Sequence, residues 1–127
     1  MEYPGYGLYE EADGLTKKQQ RSKQIQTDAE TVFKFIRDKC KVAEENIIIM
    51  GRSIGSGPAC YLASQFTKAR ALILISPIKS VKDVARQNYG RIVDLLIEER
   101  FDNFQTAKSI KCPVLVYHGL KDTMVPY

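Results

Sequence analysis

The run Asn46-Ile47-Ile48-Ile49-Met50-Gly51-Arg52-Ser53-Ile54-Gly55-Ser56-Gly57-Pro58 decides the fold. Three consecutive isoleucines, with charge before them and glycine after, predict a short strand buried on both faces. Ala59, Leu62, Ala63 and Phe66 then recur at helical spacing, and Pro58 is tolerated because it falls in the first helical turn. Between strand and helix lies Gly51-Arg52-Ser53-Ile54-Gly55, a G-x-S-x-G pentapeptide. Chance alone supplies such a pentapeptide in roughly 4% of chains of this length, so the setting carries the reading. At a sharp strand-to-helix turn the pattern predicts a nucleophile elbow.

The chemistry follows from sterics. A serine held in so tight a turn takes strained backbone angles, and Gly51 and Gly55 are expected to remove side chains that would collide across it. Ser53 becomes the candidate nucleophile at the carboxyl end of the strand, near the positive end of the next helix. The backbone N–H of Ile54 becomes the candidate oxyanion donor. A phosphate-gripping glycine turn is the competing reading, but the Walker A lysine and the G-x-G-x-x-G spacing are both absent.

Working outward, Ala71-Leu72-Ile73-Leu74-Ile75 and Val114-Leu115-Val116-Tyr117 repeat the apolar mark of the first strand. Strand, helix and strand in tandem imply a right-handed parallel crossover and an α/β sheet. Upstream, Thr16 and Gln19 form a candidate capping box. Ile25, Ala29, Val32, Phe33, Ile36 and Cys40 then make the stripe of an amphipathic helix that ends before Val42. Tyr3-Pro4-Gly5-Tyr6-Gly7 reads as a loop. Residues 76–109 carry short helical patterns around Val81 to Gln87 and Arg91 to Arg100, and read either as a cap over the site or as a plain long crossover.

An elbow serine needs an acid and a base, which follow it in the order Asp or Glu, then His. Asp122, in the loop after Val114 to Tyr117, is the candidate acid; the loop after Ala71 to Ile75 offers Ser76-Pro77 and no carboxylate. The one histidine, His118, precedes Asp122 and is assigned a structural role. A Ser-His-Asp relay therefore does not close within this chain.

Composition bounds the rest. With 127 residues, 44% of them hydrophobic and 27% charged, a packed core is expected in one domain or a piece of one. The net charge of +4 is scattered, and its one cluster, Lys17, Lys18, Arg21 and Lys23, reads as a solvated surface rather than a nucleic-acid contact. Cys40, Cys60 and Cys112 are odd in number and widely spaced, so free thiols are expected, and neither a metal nor a cofactor. No apolar run approaches the roughly 20 residues that cross a bilayer, and no secretory leader pattern opens the chain. A cytoplasmic chain is the expectation.

Tyr3 to Gly7, residues 46–58, Ile75-Ser76-Pro77 and residues 101–126 together resemble the α/β-hydrolase superfamily, and within it the seventeen group of α/β-hydrolase domain-containing proteins. The most telling piece is Phe101-Asp102-Asn103-Phe104, followed by Cys112-Pro113-Val114-Leu115-Val116-Tyr117-His118-Gly119 and Lys121-Asp122. The resemblance implies a partial α/β-hydrolase fold: one partial domain over 1–127, with a parallel sheet and flanking helices, lacking the first strands and the last strand. It implies a serine hydrolase of acyl esters or thioesters, with a lipidated protein as substrate and peripheral membrane association for a full-length form. It matches Ser53 to the nucleophile, Asp122 to the acid and Ile54 to one oxyanion donor. The family's upstream His-Gly loop and downstream Gly-His segment have no counterpart here, so the chain alone is expected to be inactive. The alternative expectation is a non-catalytic interaction module, its unpaired apolar edge at Ile47 to Ile49 recruiting another chain.

Overall fold

The computed structural model describes residues 18–92, 96 and 99–127, with backbone alone at 18–21. The loop at Tyr3 to Gly7, the capping box at Thr16, Lys17 and half of the helix expected over 91–100 lie outside the described residues. Of the basic cluster, the one described side chain, Lys23, is exposed.

Helix α1 (Lys18–Lys34) runs into a single π-helical turn, Phe35–Lys39, closed by the Cys40 N–H on the Phe35 carbonyl at 3.1 Å. Lys41 then turns left-handed at φ 57° and the helix stops before Val42, as the spacing requires. Only Ala29 and Phe33 of the expected stripe are buried; Val32 and Cys40 are exposed. α1 rests on α2 (Ser56–Gln65), tied by the Tyr61 hydroxyl donating to Glu30 at 2.9 Å, while Val32 and Ile36 line a groove beside Ile48 and Met50.

Strands β1 (Ile48–Arg52), β2 (Ala71–Ile75) and β3 (Val114–Tyr117) form a parallel sheet in that order. Met50 pairs with Ile73, and Ile73 with Leu115. Burial on both faces, expected from the apolar runs, does not hold. Alternate residues of β1 and β2 are buried. Ile49, Leu72 and Leu74 lie under the helices with Phe33, Ala59, Cys60, Ala63, Phe66 and Cys112. Leu72 is wholly enclosed, which stabilises the fold by about 2–3 kcal/mol. The Phe33 and Phe66 rings stack at 4.0 Å between centroids. On the other face Met50, Leu115 and Tyr117 are 60–70% exposed. Side-chain chemistry specifies a wish for burial on that face, but no described element covers it.

β1 pairs with β2 alone among the described residues, so its outer edge is open. Val32, Phe33, Ile36, Ile48, Met50 and Leu62 line a groove of about 400 Å³ beside it. The three cysteines are free, and burial pushes the Cys60 thiol up to about 11, so it stays protonated. No described helix is long and apolar enough to cross a membrane.

Between β2 and β3 the chain forms α3 (Val81–Tyr89) and α4 (Asn103–Thr106). The Ser80 hydroxyl caps α3 by accepting from the Asp83 N–H, and Asp102 caps α4 by accepting from the Gln105 N–H. Phe101, buried and left-handed at φ 51°, lies over Gly57 of α2, so the second half of this crossover is packed on the helix that follows the G-x-S-x-G turn.

Candidate active site

The strand register lines up three chain turns at one edge of the sheet. Arg52 pairs with Ile75 and Ile75 with Tyr117, so Ser53, Ser76 and His118 are the first residues beyond the carboxyl ends of neighbouring strands. Adjacent strands lie roughly 5 Å apart, which separates the backbones at Ser53 and His118 by about 10 Å, with Ser76 between them. Such edges are where ligands bind in open α/β sheets.

Ser53 begins a 3₁₀ turn, Ser53–Gly55, that feeds α2, and it stands at φ 51°. A left-handed non-glycine residue is strained by roughly 1–2 kcal/mol. Gly51 is what lets the turn close: a Cβ built there would lie 2.6 Å from the Ala59 Cβ and 2.6 Å from the Gly55 carbonyl oxygen. Gly55 itself is right-handed, at φ −65° and ψ −13°, and meets Gly51 through its carbonyl. Ser53 is half-buried, and the Ile54 side chain beside it is exposed. The Ile54 N–H is one of the donors that the start of a helical turn leaves without an intrahelical acceptor.

Asp122 lies in the loop after β3. Its Oδ1 accepts from the Val125 N–H at 2.9 Å and the Met124 N–H at 3.0 Å. The Ser76 side chain lies near enough to this carboxylate to favour its ionised form. Led by the Val125 amide, these donors and the nearby His118 hold the carboxyl below its ordinary value, against a smaller opposing effect of desolvation. His118 is largely buried, with Nε2 2.6 Å from the Val125 carbonyl and 3.7 Å from Asp122 Oδ2. A carbonyl only accepts, so Nε2 carries a proton and spends it there. The loop 118–125 is thereby stapled to itself.

Asp122 is thus joined to Ser76 and His118, whereas His118 has its Nε2 proton committed away from Ser53. Ser76 stands at φ 43° with its N–H on the Tyr117 carbonyl, at a position where the sequence offers no acid. The signal that marks it is its place one strand over from the elbow. Among the described residues no three His, Cys, Asp or Glu side chains gather as a metal site.

A depressed carboxylate makes a pH prediction. The ionised form of Asp122 stabilises the fold above the ordinary value of 3.8, and the contribution is lost as pH falls through the lower folded value. Thermal melts from about pH 6 down to about pH 2 should show a shallower acid decline in Asp122→Asn than in the parent chain. Parallel declines would remove the carboxylate's role in holding its loop.

No family model matches the chain, and no solved structure matches it significantly. It is 29% identical over 126 residues to alpha/beta hydrolase domain-containing protein 17B of Homo sapiens, covering 99% of this chain and 40% of that protein. The same identity over the same length holds for alpha/beta hydrolase domain-containing protein aho-3 of Caenorhabditis elegans and for protein 17C of Mus musculus, of which it covers 35% and 36%. The chain therefore spans about two-fifths or less of the length of these relatives. Along nearly its whole length the chain is homologous to part of the alpha/beta hydrolase domain-containing proteins, and its helix-flanked parallel sheet is a portion of the α/β-hydrolase fold.

Proposed function

We propose that Ser53 is the nucleophile of an acyl-ester or thioester hydrolase site, with Ile54 as one oxyanion donor and Asp122 as the acid. The observation that supports this most is the left-handed Ser53, held by Gly51 at the carboxyl edge of a parallel sheet. In the reaction the Ser53 oxygen bonds to the acyl carbon and its proton passes to a base. The tetrahedral oxyanion is met by the Ile54 N–H, and collapse releases the alcohol or thiol with a proton. Water then cleaves the acyl-enzyme. Ile54, Leu120 and Met124, exposed on loops at this edge, suit an acyl chain, and a lipidated protein at a membrane surface is the substrate class this reading favours.

His118 is not the base, and the chain has no second histidine. Added imidazole can stand in for it. The test is fluorophosphonate labelling of the folded chain, in which the Ser53 oxygen bonds to phosphorus, fluoride leaves and imidazole takes the proton. Labelling at Ser53 is expected to rise roughly 10-fold or more with imidazole and to vanish in Ser53→Ala. Equal labelling in Ser53→Ala would end the assignment. The open edge of β1 favours a second reading, a non-catalytic module that takes up a further strand there. A folded chain that stays unlabelled with imidazole supports that module instead.

A further inference from the structure

Three residues after Ser53, the Ser56 side chain is wholly buried. Its hydroxyl donates to the Ser53 carbonyl at 2.6 Å, and accepts from the Ile78 N–H at 3.2 Å and from Asn103 Nδ2 at 3.1 Å. A serine hydroxyl has one proton and two lone pairs, so each valence is used and the proton has one destination. Asn103, also buried, spends its other Nδ2 proton on the Ile78 carbonyl at 2.9 Å, and its backbone N–H donates to the Lys79 carbonyl at 2.9 Å. An isolated serine bonding back to a carbonyl in its own helix is commonplace. Here the hydroxyl is locked by partners 22 and 47 residues away.

The Ser53 carbonyl belongs to the same rigid peptide unit as the Ile54 N–H. Fixing one fixes the direction of the other, and a hydrogen bond on the carbonyl polarises the N–H at its far side. We infer that Ser56, oriented by Asn103, is a positioning residue that aims and strengthens the Ile54 N–H as an anion donor. The inference deepens the proposed hydrolase reading and rests on it for its purpose, but the hydrogen-bonded relay is testable without any reaction.

The experiment is ¹⁵N NMR of the full chain in the parent, Ser56→Ala, the near-isosteric Ser56→Cys and Asn103→Leu, with thermal melts alongside. Losing the hydroxyl bond on the Ser53 carbonyl in Ser56→Ala, or weakening it in Ser56→Cys and Asn103→Leu, is expected to move the Ile54 amide nitrogen and proton upfield in each folded variant. With imidazole present, fluorophosphonate labelling of Ser53 is expected to slow roughly 10- to 100-fold in Ser56→Ala. Should Ser56→Ala fail to melt cooperatively, Ser56→Cys carries the test, since its thiol fills the space and donates weakly. An Ile54 resonance unmoved in folded Ser56→Cys and Asn103→Leu overturns the inference whatever labelling does. A moved resonance with no labelling even in the parent chain upholds the relay and removes the hydrolase reading.

Discussion

Gly51→Ala is expected to lower stability by about 3 kcal/mol, or roughly 10 °C in melting temperature, and to abolish imidazole-dependent labelling at Ser53. The added methyl has nowhere to go. On one side it meets the Ala59 Cβ, the only side-chain atom that residue has, and on the other the Gly55 carbonyl oxygen and carbon, at 2.6 and 2.9 Å. Neither obstacle is the free end of a flexible side chain, so relief requires α2 to lift from β1 or the turn to reopen. Overpacking usually costs about 1–3 kcal/mol, and two rigid neighbours place this case at the upper end. The stiffer unfolded chain returns only about 0.4–1 kcal/mol of that. Gly119→Ala is the control, because its methyl would lie 3.9 Å from the Asp122 Cβ, an ordinary contact. Melts followed by circular dichroism should separate the two by several degrees. A Gly51→Ala chain as stable as Gly119→Ala would show that the turn is not closed as described.

The parts of this fold that depend on neighbours in sequence were readable from the residues. Ile47 to Ile49, Ala71 to Ile75 and Val114 to Tyr117 announce strands because β-branched and apolar runs of that length have few other uses, and the glycines flanking Ser53 announce a turn. Met50 and Leu115 show the limit of such reading. Their apolar side chains predict cover on both faces, yet cover depends on which other elements are present, and the face they occupy is open among the described residues. Val32 is exposed for a similar reason, since a helical period identifies a stripe but not which elements cover it.

The site divides the same way. Ser53, Ile54 and Asp122 are candidates that motif and order name, whereas Ser56, Ser76 and Asn103 are not, because their partners lie far away in sequence. Asn103 did leave a trace as a polar residue between Phe101 and Phe104, in a stretch singled out by resemblance alone. Its role emerges only when Ser56 Oγ, Ile78 and α4 meet.

Phe101 carries the other large expected effect. A methyl added at Gly57 would lie 2.7 Å from the Phe101 Cβ and closer still to its ring. Phe101 is buried and held at φ 51°, so it has little freedom to swing aside. Gly57→Ala should therefore cost about 2–3 kcal/mol, and Phe101→Ala, which empties the same space, about 3–4 kcal/mol. Combined in one chain they should cost less than their sum by about 1–2 kcal/mol, because the new methyl occupies part of the cavity that the lost ring leaves. Urea unfolding of the four chains measures this coupling, and additivity within about 0.5 kcal/mol would mean that the ring does not rest on α2. The coupling bears on chemistry as well as stability. Phe101 stands two residues before Asn103, so the ring that seats the crossover on α2 also sets where the Asn103 amide reaches Ser56. Loosening that seat should shift the Ile54 amide in the direction expected for Asn103→Leu, linking a packing contact on one side of α2 to the donor geometry at its start.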